Sequence, residues 1–86
     1  GALDVALFTS ATQVTHLLQV AEGRGVRTQL TPALAQAVVG SIGPVCSAAL
    51  RDAVLPVDLE PTHPKMGPLV IETLRAAPAL LARKRR

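Results

Sequence analysis

The sequence predicts an α/β fold, a parallel three-stranded sheet with flanking helices. Short, nearly uncharged β-type runs alternate with longer stretches whose apolar residues recur at helical spacing. The first two runs lack the in-out alternation of a half-exposed sheet, as strands covered on both faces do. Each run ends in a turn that carries a helix-start signal.

The first strand runs from Asp4 to Phe8 and stops at Thr9-Ser10. Ser10 followed three residues later by Gln13 is a capping-box pattern, and Val14, Leu17, Leu18 and Ala21 then share one helical face. That helix should end near Gly23-Arg24-Gly25. A weaker helix over residues 27–36 places Leu30 and Leu34 four apart, with Pro32 near its start. The second strand, residues 37–42, is uncharged, and Gly43-Pro44 breaks it into a helix whose buried side is Val45, Ala49, Leu50 and Ala53. The third strand, residues 57–60, is short and alternating, as an edge strand is. Pro61-Thr62-His63-Pro64 turns the chain into a last helix from Lys65 to about Ala77, with Met66, Leu69, Val70, Thr73 and Leu74 inward. Pro78 is expected to interrupt or end it, dividing the chain into a domain over residues 1–78 and a basic tail or linker over residues 79–86.

Composition narrows the function. Eighty-six residues make one small domain, which buries only about 60–65% of the surface its unfolded chain exposes. The net charge of +3 comes from nine Lys/Arg against six Asp/Glu, but Arg83, Lys84, Arg85 and Arg86 carry four of the positive charges. The rest of the chain is slightly acidic, which excludes a basic nucleic-acid-binding face spread over the fold. Phe8 is the only aromatic residue, so base-stacking platforms are excluded as well. A single cysteine, Cys46, makes no internal disulfide, and with two isolated histidines it makes no thiolate metal site. This cysteine usage is that of a cytoplasmic protein. The uncharged stretch over residues 28–50 contains Pro32, Gly40, Gly43 and Pro44 and reads as helix, strand and turn rather than a membrane span. A chain opening on Gly1-Ala2, with no initiator Met, reads as a piece of something longer.

Ligands of open parallel sheets bind beyond the carboxyl ends of the strands. Here the turns at that rim are Thr9-Ser10-Ala11-Thr12, Gly43-Pro44-Val45-Cys46 and Thr62-His63-Pro64-Lys65. They offer hydroxyls, a thiol and free backbone N–H groups at helix starts, a set that suits carboxylate or phosphate. Taken singly, Ser10 and Thr62 read first as helix caps, Cys46 as a small buried side chain, Lys65 as a solvated lysine and His16 as a surface or capping residue. His63 faces either ligand or solvent. The six carboxylates are scattered, with no pair at catalytic spacing, and no nucleophile elbow, HExxH helix or phosphate-binding loop is present.

Three blocks carry a family resemblance. Val5-Ala6-Leu7-Phe8-Thr9-Ser10-Ala11-Thr12-Gln13-Val14 comes first, then Ser41-Ile42-Gly43-Pro44-Val45-Cys46-Ser47-Ala48-Ala49-Leu50. Last come Leu55-Pro56-Val57-Asp58 and Glu60-Pro61-Thr62-His63-Pro64-Lys65-Met66-Gly67-Pro68-Leu69-Val70. In this order and spacing they resemble the C-terminal segment of uroporphyrinogen-III synthases, up to about Ala77.

The resemblance implies an incomplete flavodoxin-like or Rossmann-like domain of a two-domain lyase of tetrapyrrole (porphyrin) biosynthesis. That enzyme closes hydroxymethylbilane to uroporphyrinogen III, inverting ring D and losing water without a cofactor. It implies substrate-binding positions at Thr9, Ser10, Thr12, Gly43, Pro44, Cys46, Thr62 and Lys65, with the linear tetrapyrrole held in a cleft against a second domain. The family commonly has Thr at the position of Cys46 and a tyrosine upstream, whereas this chain has no Tyr. The resemblance therefore places catalysis in a longer parent and leaves this fragment alone inactive. A chain cut this way exposes the edge at residues 4–8, which is expected to pair with the remainder of the parent or with a second copy. The last helix running into a basic connector is also similar to regulators in which a synthase-like sensory or dimerisation module precedes a winged-helix DNA-binding domain. In that reading, DNA is a partner only through a domain beyond the tail.

Overall fold

A computed structural model describes residues 4–85; Arg86, the last residue of the basic run, lies outside them. The element order is β1 (Val5–Phe8), α1 (Ala11–Gly23), α2 (Arg27–Ala35), β2 (Val38–Ser41), α3 (Pro44–Asp52) and α4 (Met66–Lys84). β1 and β2 pair in parallel with Val5 opposite Val38 and Phe8 opposite Ser41. The chain is thus α/β, with a two-stranded parallel sheet and helices on both faces.

Period-two alternation of the strands sorts the helices. Ala6, Phe8 and Val39 point into a core shared with Val14 and Leu17 of α1, Leu30 and Leu34 of α2, and Cys46 and Leu50 of α3. The opposite face carries α4, and Gly40 is where it comes closest. A Cβ on Gly40 would lie 2.7 Å from Thr73 Oγ1, 2.9 Å from Leu7 Cδ2 and 3.2 Å from Leu69 Cδ1. With α3 on one side and α4 on the other, every residue of β2 is buried, which is why that strand carries no charge.

Residues 57–60 meet β2 at a single parallel bridge, Gly40 to Leu59, so the expected third strand is represented by one bridged residue. The cause is visible in the ladder. Val39 C=O accepts from the Asp58 and Leu59 N–H groups, and Ser41 N–H donates to Leu59 C=O. Val39 N–H, however, donates to the Asp58 carboxylate at 2.8 Å. A side chain occupies the position where a strand carbonyl would extend the pairing.

The last helix departs most from expectation. Pro78 lies inside α4, which continues to Lys84. Proline in a helix interior forfeits a hydrogen bond and costs about 3 kcal/mol, but Pro78 sits on the exposed side and the turns beyond it are anchored. Lys84 Nζ donates to the carbonyls of Leu34 and Ala37 at the C-terminal end of α2 and to Asp58 Oδ2. Arg85 donates to Gln36 C=O and to Asp4 Oδ1. Two residues of the expected basic tail are therefore fastened to the body of the fold. Met66 and Leu74, expected inward, are 57% and 60% exposed. The buried stripe is Leu69, Thr73 and Ala77, displaced because α4 packs over Gly40, where only a narrow face fits.

Smaller shifts have equally local causes. Pro32 lies past the middle of α2 rather than near its start. Val45, expected on the buried side of α3, is 76% exposed because the helix turns Cys46, Ser47 and Leu50 inward instead. After α3, the Leu55 N–H donates to Leu50 C=O and the Val54 N–H to Arg51 C=O. These two bonds form a Schellman closure, and Val54 holds its left-handed position with φ 61°.

Candidate functional site

The α1 start is built by the capping pattern. Ser10 Oγ accepts the Gln13 N–H at 3.2 Å, and the Gln13 side chain reaches back to accept the Thr9 N–H at 2.7 Å. This fixes the bend between β1 and α1. In α3, Gly43 is the N-cap in extended conformation and Pro44 occupies the first helical position. Neither contributes a capping side chain, so the first N–H groups of α3 stay open. The N–H groups of Ala11, Thr12, Val45 and Cys46 have no acceptor among the described residues.

The two helix starts border one open pocket of about 350 Å³ at the carboxyl ends of β1 and β2. Thr9, Ser10 and Ala11 form one wall, and Ile42, Gly43, Pro44, Val45 and Cys46 form the other, with Pro64 from the third turn closing the side. Pro64 packs against the β2–α3 turn: a Cβ on Gly43 would touch its Cβ at 3.4 Å. Each helix N-terminus presents roughly half a positive charge from its aligned peptides, the one feature that favours an anion at a lining that is otherwise almost wholly apolar and carries no Lys or Arg.

Of the eight positions expected to bind substrate, Thr9, Ser10, Gly43, Pro44 and Cys46 meet at this pocket. Thr12, Thr62 and Lys65 do not line it. Thr12 is exposed in the first turn of α1. Thr62 is bound within the chain: its N–H and its hydroxyl both donate to the Glu72 carboxylate of α4, at 3.1–3.3 Å. Lys65 is the exposed N-cap of α4, and His63 beside it is exposed too.

Cys46 has a structural duty. Its thiol is 2% exposed, and Sγ–H donates to Phe8 C=O at 3.6 Å, tying the first turn of α3 to the end of β1. Ser47, one residue on, hydrogen-bonds Ser41 Oγ at 2.8 Å and the Glu60 carboxylate. The relative position of the two helix starts is therefore fixed by buried contacts. Ala11, Ile42, Val45 and Pro64 complete the pocket without having been singled out, because apolar lining leaves no chemical signature in a sequence. The signal for them is position alone: Ala11, Val45 and Pro64 lie within the three rim turns and Ile42 immediately before one.

Among the described residues, no group of three or more His, Cys, Asp or Glu is placed to hold a metal ion. No helix among them is long and apolar enough to cross a membrane. A family model described as uroporphyrinogen-III synthase HemD matches residues 1–71 of the 86. No curated protein and no solved structure gives a significant match. The matched span contains both strands and the whole pocket, and the chain belongs to the uroporphyrinogen-III synthase family.

Proposed function

We propose that this chain is the substrate-holding part of a cytoplasmic uroporphyrinogen-III synthase, which closes hydroxymethylbilane to uroporphyrinogen III with inversion of ring D and loss of water. The observation that carries the reading is the convergence on one pocket of two helix starts, which leave the Ala11, Val45 and Cys46 N–H groups without an acceptor among the described residues. Linear tetrapyrroles carry acetate and propionate groups, and carboxylates are the ligands such N–H groups hold best. The Ala11, Val45 and Cys46 N–H groups would grip one or two side-chain carboxylates, and the Thr9 and Ser10 hydroxyls would supply further bonds. The apolar lining from Ile42, Pro44, Val45 and Pro64 suits a pyrrole face.

The described rim contributes binding and orientation and no proton-transfer group: its thiol is buried against Phe8 C=O and no carboxylate lines the pocket. Ring closure therefore draws on residues of the parent protein that face this rim. In the regulator reading the basic run serves as a connector to a DNA-binding domain. No observation favours it, since Lys84 and Arg85 bond to the fold itself.

The test is turnover of hydroxymethylbilane by the full-length parent, with the product isomers resolved. Uroporphyrinogen III is the expected product. Only the I isomer, which forms by uncatalysed closure without inversion, would defeat the proposal.

A further inference from the structure

The third rim turn already holds a carboxylate, and it is the chain's own. The Thr62 N–H donates to both oxygens of Glu72, at 3.3 and 3.2 Å, and the Thr62 hydroxyl donates to Oε1 at 3.1 Å. A backbone N–H and a hydroxyl aimed at one point make a fork that carboxylates fit. The grip on Glu72 is loose, however. Charge-assisted bonds to a carboxylate are normally about 2.7–2.9 Å long, and all three contacts exceed that. Thr62 is exposed and Glu72 half-buried, so water competes for both partners and the contact contributes little. Glu60 differs, because its carboxylate meets the hydroxyl of the buried Ser47.

The turn does not depend on Glu72 for its shape. Pro61 is buried, the Lys65 N–H donates to His63 C=O at 2.7 Å, and the Leu69 N–H donates to Lys65 C=O. Pro64 packs against Gly43 at the side of the pocket. Thr62 stands two residues from Pro64, and two residues of chain reach at most about 7 Å. A linear tetrapyrrole carries an acetate and a propionate on each ring, more carboxylates than the Ala11, Val45 and Cys46 N–H groups can hold. Its remaining carboxylates need donors around the pocket mouth.

We propose that Thr62 is a further carboxylate subsite of this rim and that Glu72 is its built-in competitor, displaced when a polycarboxylated tetrapyrrole binds. The proposal rests on the reading of the pocket as a tetrapyrrole site and adds to it a residue that opposes binding. Glu72 does so in two ways. It occupies the Thr62 donors, and its charge stands roughly 10 Å at most from Pro64, about one Debye length near 0.1 M salt. On displacement the Thr62 N–H and hydroxyl exchange one carboxylate for another. The Glu72 side chain returns to water, so no buried polar group is left unpaired.

Titration of the full-length parent with uroporphyrin, whose rings carry the same acetates and propionates, reads the proposal by its sign. Glu72→Ala should bind about threefold more tightly than the unsubstituted parent, the scale of an exposed charge contact. Glu72→Gln keeps the side chain's length and drops its charge, and should tighten binding by less. Adding Thr62→Val to Glu72→Ala should remove most of the gain, whereas Thr62→Val alone should have a smaller effect, because there ligand and competitor lose the same hydroxyl. Circular dichroism checks folding, and Glu72→Gln carries the test should Glu72→Ala lose helix. An unsubstituted parent that binds no uroporphyrin would remove the tetrapyrrole reading and this proposal with it. A parent that binds it, with both Glu72 variants equal or weaker, would leave that reading standing and overturn the competitor, since Glu72 would then only brace the turn. A gain untouched by Thr62→Val would overturn the subsite as well, because relief of charge alone would explain it.

Discussion

Lys84 Nζ lies 2.7 Å from Asp58 Oδ2, with both side chains only about 15% exposed. Asp58 Oδ2 also accepts the Val39 N–H, and the other two Lys84 bonds satisfy the last carbonyls around the end of α2. One ammonium thus joins α4, α2 and the segment beside β2. Removing one member of a mostly buried pair leaves the other uncompensated. Lys84→Met should lower stability by about 2 kcal/mol. Adding Asp58→Asn to it should cost much less than Asp58→Asn alone, as urea titration of the single and double variants would show.

Gly40 is the point where α4 crosses the sheet. Gly40→Ala drives a Cβ to within 3 Å of Thr73 Oγ1 and Leu7 Cδ2, an overpacking worth about 1–3 kcal/mol. Thr73 Oγ1 is itself buried without a hydrogen-bond partner, so truncation there sacrifices no bond. The pair Gly40→Ala with Thr73→Ala should recover part of the loss, measured by the same titration.

Val54 is a β-branched residue at φ 61° and 75% exposed, so its side chain contributes little packing against a conformation that disfavours it. Val54→Gly should raise stability by about 1 kcal/mol, seen as a higher melting temperature.

At the pocket, Ser10→Ala removes the α1 cap and should cost about 1 kcal/mol of stability, together with one hydroxyl donor to ligand. Val45→Glu tests the anion site more directly. Val45 lines the pocket and is 76% exposed, so folding should be unchanged. A carboxylate there repels a polycarboxylated tetrapyrrole and should weaken its binding to the full-length parent about tenfold. Titration calorimetry with uroporphyrin would measure it, and unchanged affinity would place the carboxylates elsewhere.

Much of this was legible along the chain because it depends on neighbours in sequence. Ser10 and Gln13 cap α1 as their spacing predicts, Pro44 opens α3, and the uncharged β2 is buried on both faces. The grouping of Thr9, Ser10, Gly43, Pro44 and Cys46 at one rim follows from parallel strands, which bring their carboxyl ends together. By sequence Thr62 and Lys65 fall on the same rim, because their turn follows the third β-type run. Only the packing of α4 shows that Glu72 claims Thr62 and that Pro64 supplies the lining.

The sequence by itself determined the order of the helices and the first two strands, the burial of β2 and the helix starts at Ser10 and Gly43-Pro44, since caps, turns and periodicity are local interactions. The tertiary structure decided how far α4 runs, which of its faces is buried, why pairing at residues 57–60 stops at one bridge and what the basic run does. Each of those turns on a bond between residues distant in sequence: Lys84 with Asp58, Arg85 with Asp4, Val39 with Asp58, Gly40 against Thr73. A charge run at a chain end reads as a solvated tail until a partner many residues away is brought beside it.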